Sequence, residues 1–101
     1  MTVSDYITQK IGSFGMHLSE ADLLDMTLNS SVSLEDEVTK ENMTEVNRAI
    51  AVFIPSLLAR PTSVNENGFS VSWDKDGIKA YYSLLCKQLG IEDVLSSRIS
   101  D

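Results

Sequence analysis

The chain has 101 residues, 43% of them hydrophobic, which is enough for one modest core and too little for a second domain beside it. Its 15 acidic residues outweigh 8 basic ones, and the formal net charge of −7 repels phosphate backbones. Lys40, Arg48, Arg60, Lys75, Lys79, Lys87 and Arg98 stand singly among acids, so no direct nucleic-acid partner is expected.

The first residues, MTVSDYITQKIGSFG, are mixed and polar and lack the basic-then-apolar pattern of a secretory leader. The longest apolar stretch, Ala49 to Ile54, extends only to Ala59 and is interrupted by Pro55 and Ser56. That is far short of the roughly 20 residues that span a bilayer. An intracellular protein with no membrane partner is expected. Cys86 is the only cysteine, which excludes an internal disulfide and any multi-cysteine metal site and fits a reducing compartment. Asn29-Ser30-Ser31 and Asn42-Met43-Thr44 match the glycosylation sequon, a short pattern without meaning in a chain that is not secreted.

In chain order, the spacing of Val3, Tyr6, Ile7 and Ile11 predicts a first helix from about Val3 to Ile11, capped by Thr2 or Ser4 and ended by Gly12 and Gly15. Ser19-Glu20-Ala21-Asp22 has the form of a capping box. A second helix should start at Glu20, bury Leu23, Leu24, Met26 and Leu28, and stop at Asn29-Ser30-Ser31. Residues Val32 to Val38 hold the acidic run Glu35-Asp36-Glu37 without a period and read as a loop with solvated charges. Thr39 should cap the strongest helix, about Lys40 to Ala59, whose stripe is Met43, Val46, Ile50, Phe53, Ile54, Leu57 and Leu58. Pro55 within it predicts a kink near Ala51 unless the helix ends sooner, and Pro61 closes the element.

Residues Thr62 to Trp73, TSVNENGFSVSW, abandon the helical period. Phe69, Val71 and Trp73 alternate with Ser70 and Ser72, and Asn67-Gly68 supplies the positive φ angles of a tight turn, so a β-hairpin is expected. A lone hairpin is marginal in water and must pack on a helix of its own chain or on a neighbouring subunit. Phe69, Val71 and Trp73 are therefore the candidate interaction residues. Asp74 is placed to cap a fourth helix from Lys75 to Leu89, with Ile78, Tyr81, Tyr82, Leu85 and Leu89 on one face and Gly90 as its stop. The expected fold is mainly α, a bundle of about four helices with one short hairpin before the last. Residues 1–90 form a single domain, with the hairpin at 62–73 and a tail over 91–101, in which Glu92 to Leu95 could add a helical turn.

Catalytic and metal chemistry find little footing. Asp74-Lys75-Asp76-Gly77 matches the third to sixth positions of a calcium loop, but its first and twelfth positions would be Ser72 and Ser83 and a strand replaces the entering helix. Helix capping accounts for Asp74 better. His17, the only histidine, flanks a helix start and has no further ligands in its vicinity beyond Glu20 and Asp22. Cys86 sits beside Leu85 on a helix, where a thiol fills core space, and no base or oxyanion motif accompanies it. Glu20, Asp22, Asp25 and Glu35 to Glu37 could pair by chance, but no glycine loop or phosphate motif implies a substrate. No enzyme, cofactor, metal or small-molecule substrate is expected.

Amphipathic helices, a long apolar helix ending at Arg60-Pro61, the segment Ser63 to Trp73 with Glu66-x-Gly68-x-Ser70-Val71-Ser72, and a final helix follow one another. This order resembles the small head-tail connector, or adaptor, proteins of tailed bacteriophages and prophages. The similarity covers about Ser19 to Leu89, and Gly68 to Ser72 match residue by residue. The resemblance implies a non-enzymatic, mainly helical subunit that joins a ring below the portal and meets portal or tail proteins, and it brings no catalytic residues. Gly12-Ser13-Phe14-Gly15 and the short stretch after Leu89 depart from that pattern. A free-standing intracellular adaptor, binding one partner through the hairpin or the last helix, is the rival expectation.

Overall fold

The computed structural model describes residues 1–59, 63–66 and 69–95, with the backbone alone for the strand residues. The described chain is mainly helical, with four helices: α1 (Val3–Gly12), α2 (Glu20–Thr27), α3 (Met43–Leu57) and α4 (Lys75–Leu89). Two short strands, β1 (Ser63–Glu66) and β2 (Phe69–Ser72), pair antiparallel between α3 and α4, with Val64 opposite Val71 and Glu66 opposite Phe69. The expected turn at Asn67-Gly68 and the expected stop at Pro61 lie outside the described residues.

α1, α2 and α4 each begin where a short polar side chain satisfies a free backbone N–H. Thr2 Oγ1 accepts from the Asp5 N–H at 3.1 Å. Ser19 and Asp22 form the full reciprocal box, with Ser19 Oγ accepting at 3.2 Å and Asp22 Oδ2 at 3.0 Å. The third helix begins at Met43, three residues later than the sequence suggests. The reason lies in Asn42, whose Oδ1 accepts from the Thr39 N–H at 2.8 Å while its Nδ2 donates to the Glu37 carbonyl at 2.8 Å. Thr39 Oγ1 answers by accepting the Asn42 N–H at 3.2 Å, so these side chains hold residues 40–42 in a turn ahead of the helix. Pro55 lies inside α3, which runs on to Leu57. Gly90 ends α4 at φ 70°, a left-handed conformation that costs glycine no steric penalty, and its N–H donates to Cys86 O.

α3 is the central helix, packed on α4 and on α2, while α1 lies against α2. Val3, Ile7 and Ile11 of α1, Val46, Ile50, Ile54 and Leu57 of α3, and Ile78 and Leu85 of α4 are fully or almost fully buried. Burial of each such side chain stabilises the fold by about 1.5 to 3 kcal/mol relative to exposure. The loop after α2 is tied back to the first residues of the chain. Val3 N–H donates to Asp36 O at 2.8 Å, Ser4 N–H to Leu34 O at 3.0 Å and Val38 N–H to Met1 O at 3.0 Å. Glu35, Asp36 and Glu37 remain exposed there, but Glu37 Oε1 pairs with the amino group of Met1 at 3.0 Å and Asp36 Oδ2 accepts the Ser33 N–H at 2.8 Å.

Residues 91–95 are not a free tail. Ile91 and Leu95 pack on the core, Tyr82 Oη accepts the Val94 N–H at 3.3 Å, and Ser83 Oγ donates to Asp93 Oδ2 at 2.6 Å. The expected tail is thus docked on α4 through Leu95, and its last six residues lie outside the described part.

Candidate interaction surface

Trp73 joins β2 to α4 and is half-buried, packed against the helical core. The next residue anchors it. Asp74 donates its backbone N–H to Phe14 O at 2.7 Å and accepts the Gly77 N–H on Oδ1 at 2.8 Å. Phe14 stacks on Tyr81 with ring centroids 5.6 Å apart at 31°, and Lys10 Nζ stands 5.5 Å from the centre of the same Tyr81 ring. The paired strands therefore leave a base clamped between the α1–α2 turn and the start of α4. Of the three candidate interaction residues, Trp73 is partly committed to its own chain. The side chains of Phe69 and Val71 lie outside the described residues.

Sequence periodicity missed a set of exposed apolar side chains. Leu24 and Leu28 were expected in the core, yet they are 52% and 63% exposed. α2 is eight residues long and turns Leu23, Met26 and Thr27 inward, so Leu24 and Leu28, one residue further round the helix, share a ridge that faces water. Val52 on α3 and Leu84 on α4 are exposed as well.

Beside the Leu24 ridge runs a groove of about 650 Å³ between the starts of α1 and α2 and the loop at Leu34. Leu23, Leu24, Ala21 and Leu34 give it an apolar lining, and Asp5, Glu20 and Glu35 make its rim acidic. A smaller groove of about 320 Å³ lies between α2 and α3, with Met26, Val52 and Phe53 among its walls and Asp25, Glu45 and Arg48 at its edge.

Cys86 and Asp74 are held in structural roles. His17 is exposed between buried Met16 and Leu18. Cys86 is buried beneath α4, its Sγ directed at Glu92 O at 3.7 Å. Burial pushes its thiol pKa up and the Asp93 carboxylate adds to this, against an opposing hydrogen bond with Tyr82, so the nucleophilic thiolate is disfavoured. Asp74 is a helix cap. Among the described residues no three His, Cys, Asp or Glu side chains converge to hold a metal, and no helix is long and apolar enough to cross a membrane. Among the described residues, the buried hydroxyl of Tyr81 stands out for having no hydrogen-bond partner. Burial, with Tyr6 nearby, pushes its pKa well above the ordinary tyrosine value.

The described surface carries an apolar ridge and groove beside α2 and a pair of short strands between α3 and α4. No curated protein and no solved structure matches the chain. A family model matches residues 1–101, and the chain belongs to that family, DUF6706, a family of unknown function.

Proposed function

We propose that this protein is a non-enzymatic structural subunit that assembles in a ring at the portal of a phage or prophage particle, as a head-tail connector does. The observation that carries this reading is the paired segment Ser63–Glu66 and Phe69–Ser72, set between the central helix and the last one and fixed at its base by Trp73 and Asp74. A two-stranded ladder has unpaired edges, and alternation assigns Phe69 and Val71 to a common face with Trp73. Such an element, set between two packed helices, suits a head-to-tail contact that closes by rotation into a ring. The partners are then further copies of the chain and portal or tail proteins.

The double substitution Phe69→Ser and Val71→Lys tests it. Helical content should be unchanged by circular dichroism, while native mass spectrometry at high protein concentration should show loss of the higher-order species. The measurement is repeated with portal rings, which supply a template for a weak contact. A parent protein that stays monomeric in both settings would overturn ring assembly and favour a free-standing adaptor that binds a single partner.

A further inference from the structure

We infer that residues 92–95 form a strap that lifts from α4 as a unit, hinged at Ile91, and that the hydrogen bond between Ser83 and Asp93 is its latch. Lifting it bares the Cys86 thiol and the Tyr82 hydroxyl, which gives the last helix a closed surface and an open one. The device does not depend on the strands or on the ring reading.

The fixed part of the chain ends at Ile91. Its N–H donates to Cys86 O at 3.1 Å beside the bond from Gly90, the closure of a helix with a left-handed stop. Beyond that point the hold passes through side chains of α4. Ser83 Oγ donates to Asp93 Oδ2 at 2.6 Å, and Tyr82 Oη accepts the Val94 N–H at 3.3 Å. The other oxygen of Asp93 accepts the Leu95 N–H at 3.0 Å, so one carboxylate both turns the strap and fastens it. The Glu92 carbonyl lies over the sulfur, 3.7 Å from Cys86 Sγ.

Burial is unequal on the two sides of this contact. Glu92 and Val94 are exposed and Asp93 and Leu95 half-buried, whereas Tyr82 and Cys86 beneath them are each 3% exposed. A segment that keeps much of its surface in water loses little burial on leaving, and its release returns the conformational entropy of its ordered backbone. Opening therefore belongs to the low end of the free-energy scale, well below global unfolding, and the body around Ile78 and Leu85 stays packed while the strap is open.

The rate at which Cys86 reacts with an aromatic disulfide reagent reads the open state. Ser83→Ala removes the latch donor at an exposed helix position that favours alanine, so the melting temperature should not fall. Labelling should nevertheless run about three- to tenfold faster than in the parent, the effect of one lost hydrogen bond. Ser83→Asp sets a second carboxylate against Asp93 and should label faster still. Added negative charge disfavours the thiolate, so a faster rate there reports access and not reactivity. In both variants the helical circular dichroism should match the parent's, and the rate should be the same in water as in urea below the unfolding transition, since a local opening exposes little surface. Labelling as slow in both variants as in the parent would overturn the strap. Labelling that rises only as the melting temperature falls, or that climbs steeply with the first additions of urea, would overturn it as well, because the thiol is then uncovered by global unfolding.

Discussion

The backbone N–H of Asp74 donates to the carbonyl of Phe14 at 2.7 Å, joining the start of the last helix to the turn that follows the first. The same aspartate caps α4 through Gly77, so one residue fixes both where the helix begins and where it sits. Asp74→Ala keeps the backbone bond and loses the cap, and should cost about 1 kcal/mol in urea unfolding. Asp74→Asn retains an acceptor oxygen and should recover most of that loss.

Gly77→Ala offers a test of sign. In an ordinary helix position alanine gains about 0.5 to 1 kcal/mol over glycine. Here an added Cβ would meet Asp74 Cγ at 2.7 Å and Phe14 Cδ1 at 3.0 Å, so the cap or the ring must move. We expect a net loss of about 1 kcal/mol and a fall in the melting temperature.

Two neighbouring positions on α3 should behave oppositely. Ile50 is fully buried and Val52 is 71% exposed. Ile50→Ala should destabilise by about 2 to 5 kcal/mol through lost burial and a residual cavity. Val52→Ser should stay within about 0.5 kcal/mol of the parent. The measurement is equilibrium denaturation with a common m-value.

Much of this pattern was legible in the chain itself, because helix stripes and caps are local. Thr2, the Ser19/Asp22 box, Asp74 and Gly90 act where their types and spacings placed them. The misplaced start of α3 is also local, but it depends on the side chain of Asn42 choosing Thr39 and Glu37, a competition between two polar neighbours that spacing does not resolve. Leu24 and Leu28 were misread for another reason. Periodicity reports that a helix has an apolar side, while how wide an arc is covered depends on which helices lie beside it. The candidate interaction surface suffers from the same gap, since a contact between subunits would leave no period of its own in the sequence. Trp73 illustrates it: alternation groups it with Phe69 and Val71, and only the folded chain reveals that part of the indole is spent on its own core.

Tyr81→Phe should leave stability unchanged or raise it by up to about 1 kcal/mol, because it removes a buried hydroxyl with no partner. The pH dependence follows from the raised pKa of this group. The folded protein resists ionising Tyr81 while the unfolded chain ionises it near the ordinary tyrosine pKa of about 10, so the contribution is full below that pH and is lost as pH rises past it. Tyr82 and Cys86, also raised by burial, act in the same direction. Melting temperature should therefore drop on the alkaline side, and Tyr81→Phe should soften the drop. Tyrosinate absorbance followed in the same titration should show a tyrosine that ionises only on unfolding.

Cys86 should be inert toward a thiol reagent in the folded protein and react fully in denaturant. Its burial and raised pKa both reduce the accessible thiolate. Reaction at the rate of a free thiol in native buffer would contradict its placement under α4.

The three backbone hydrogen bonds that bind Val3, Ser4 and Val38 across the loop after α2 turn everything between into a closed circuit. The start of α1 cannot part from the loop after α2 without breaking that clasp, and closing it again carries the entropy of a long loop. Amide hydrogens of both helices should therefore exchange together, by one cooperative opening shared with the clasp, instead of fraying turn by turn from the ends. In folding, α2 can cover the inward face of Val3, Ile7 and Ile11 as soon as it is made, but the lock on that arrangement closes only once the chain has been made past Val38.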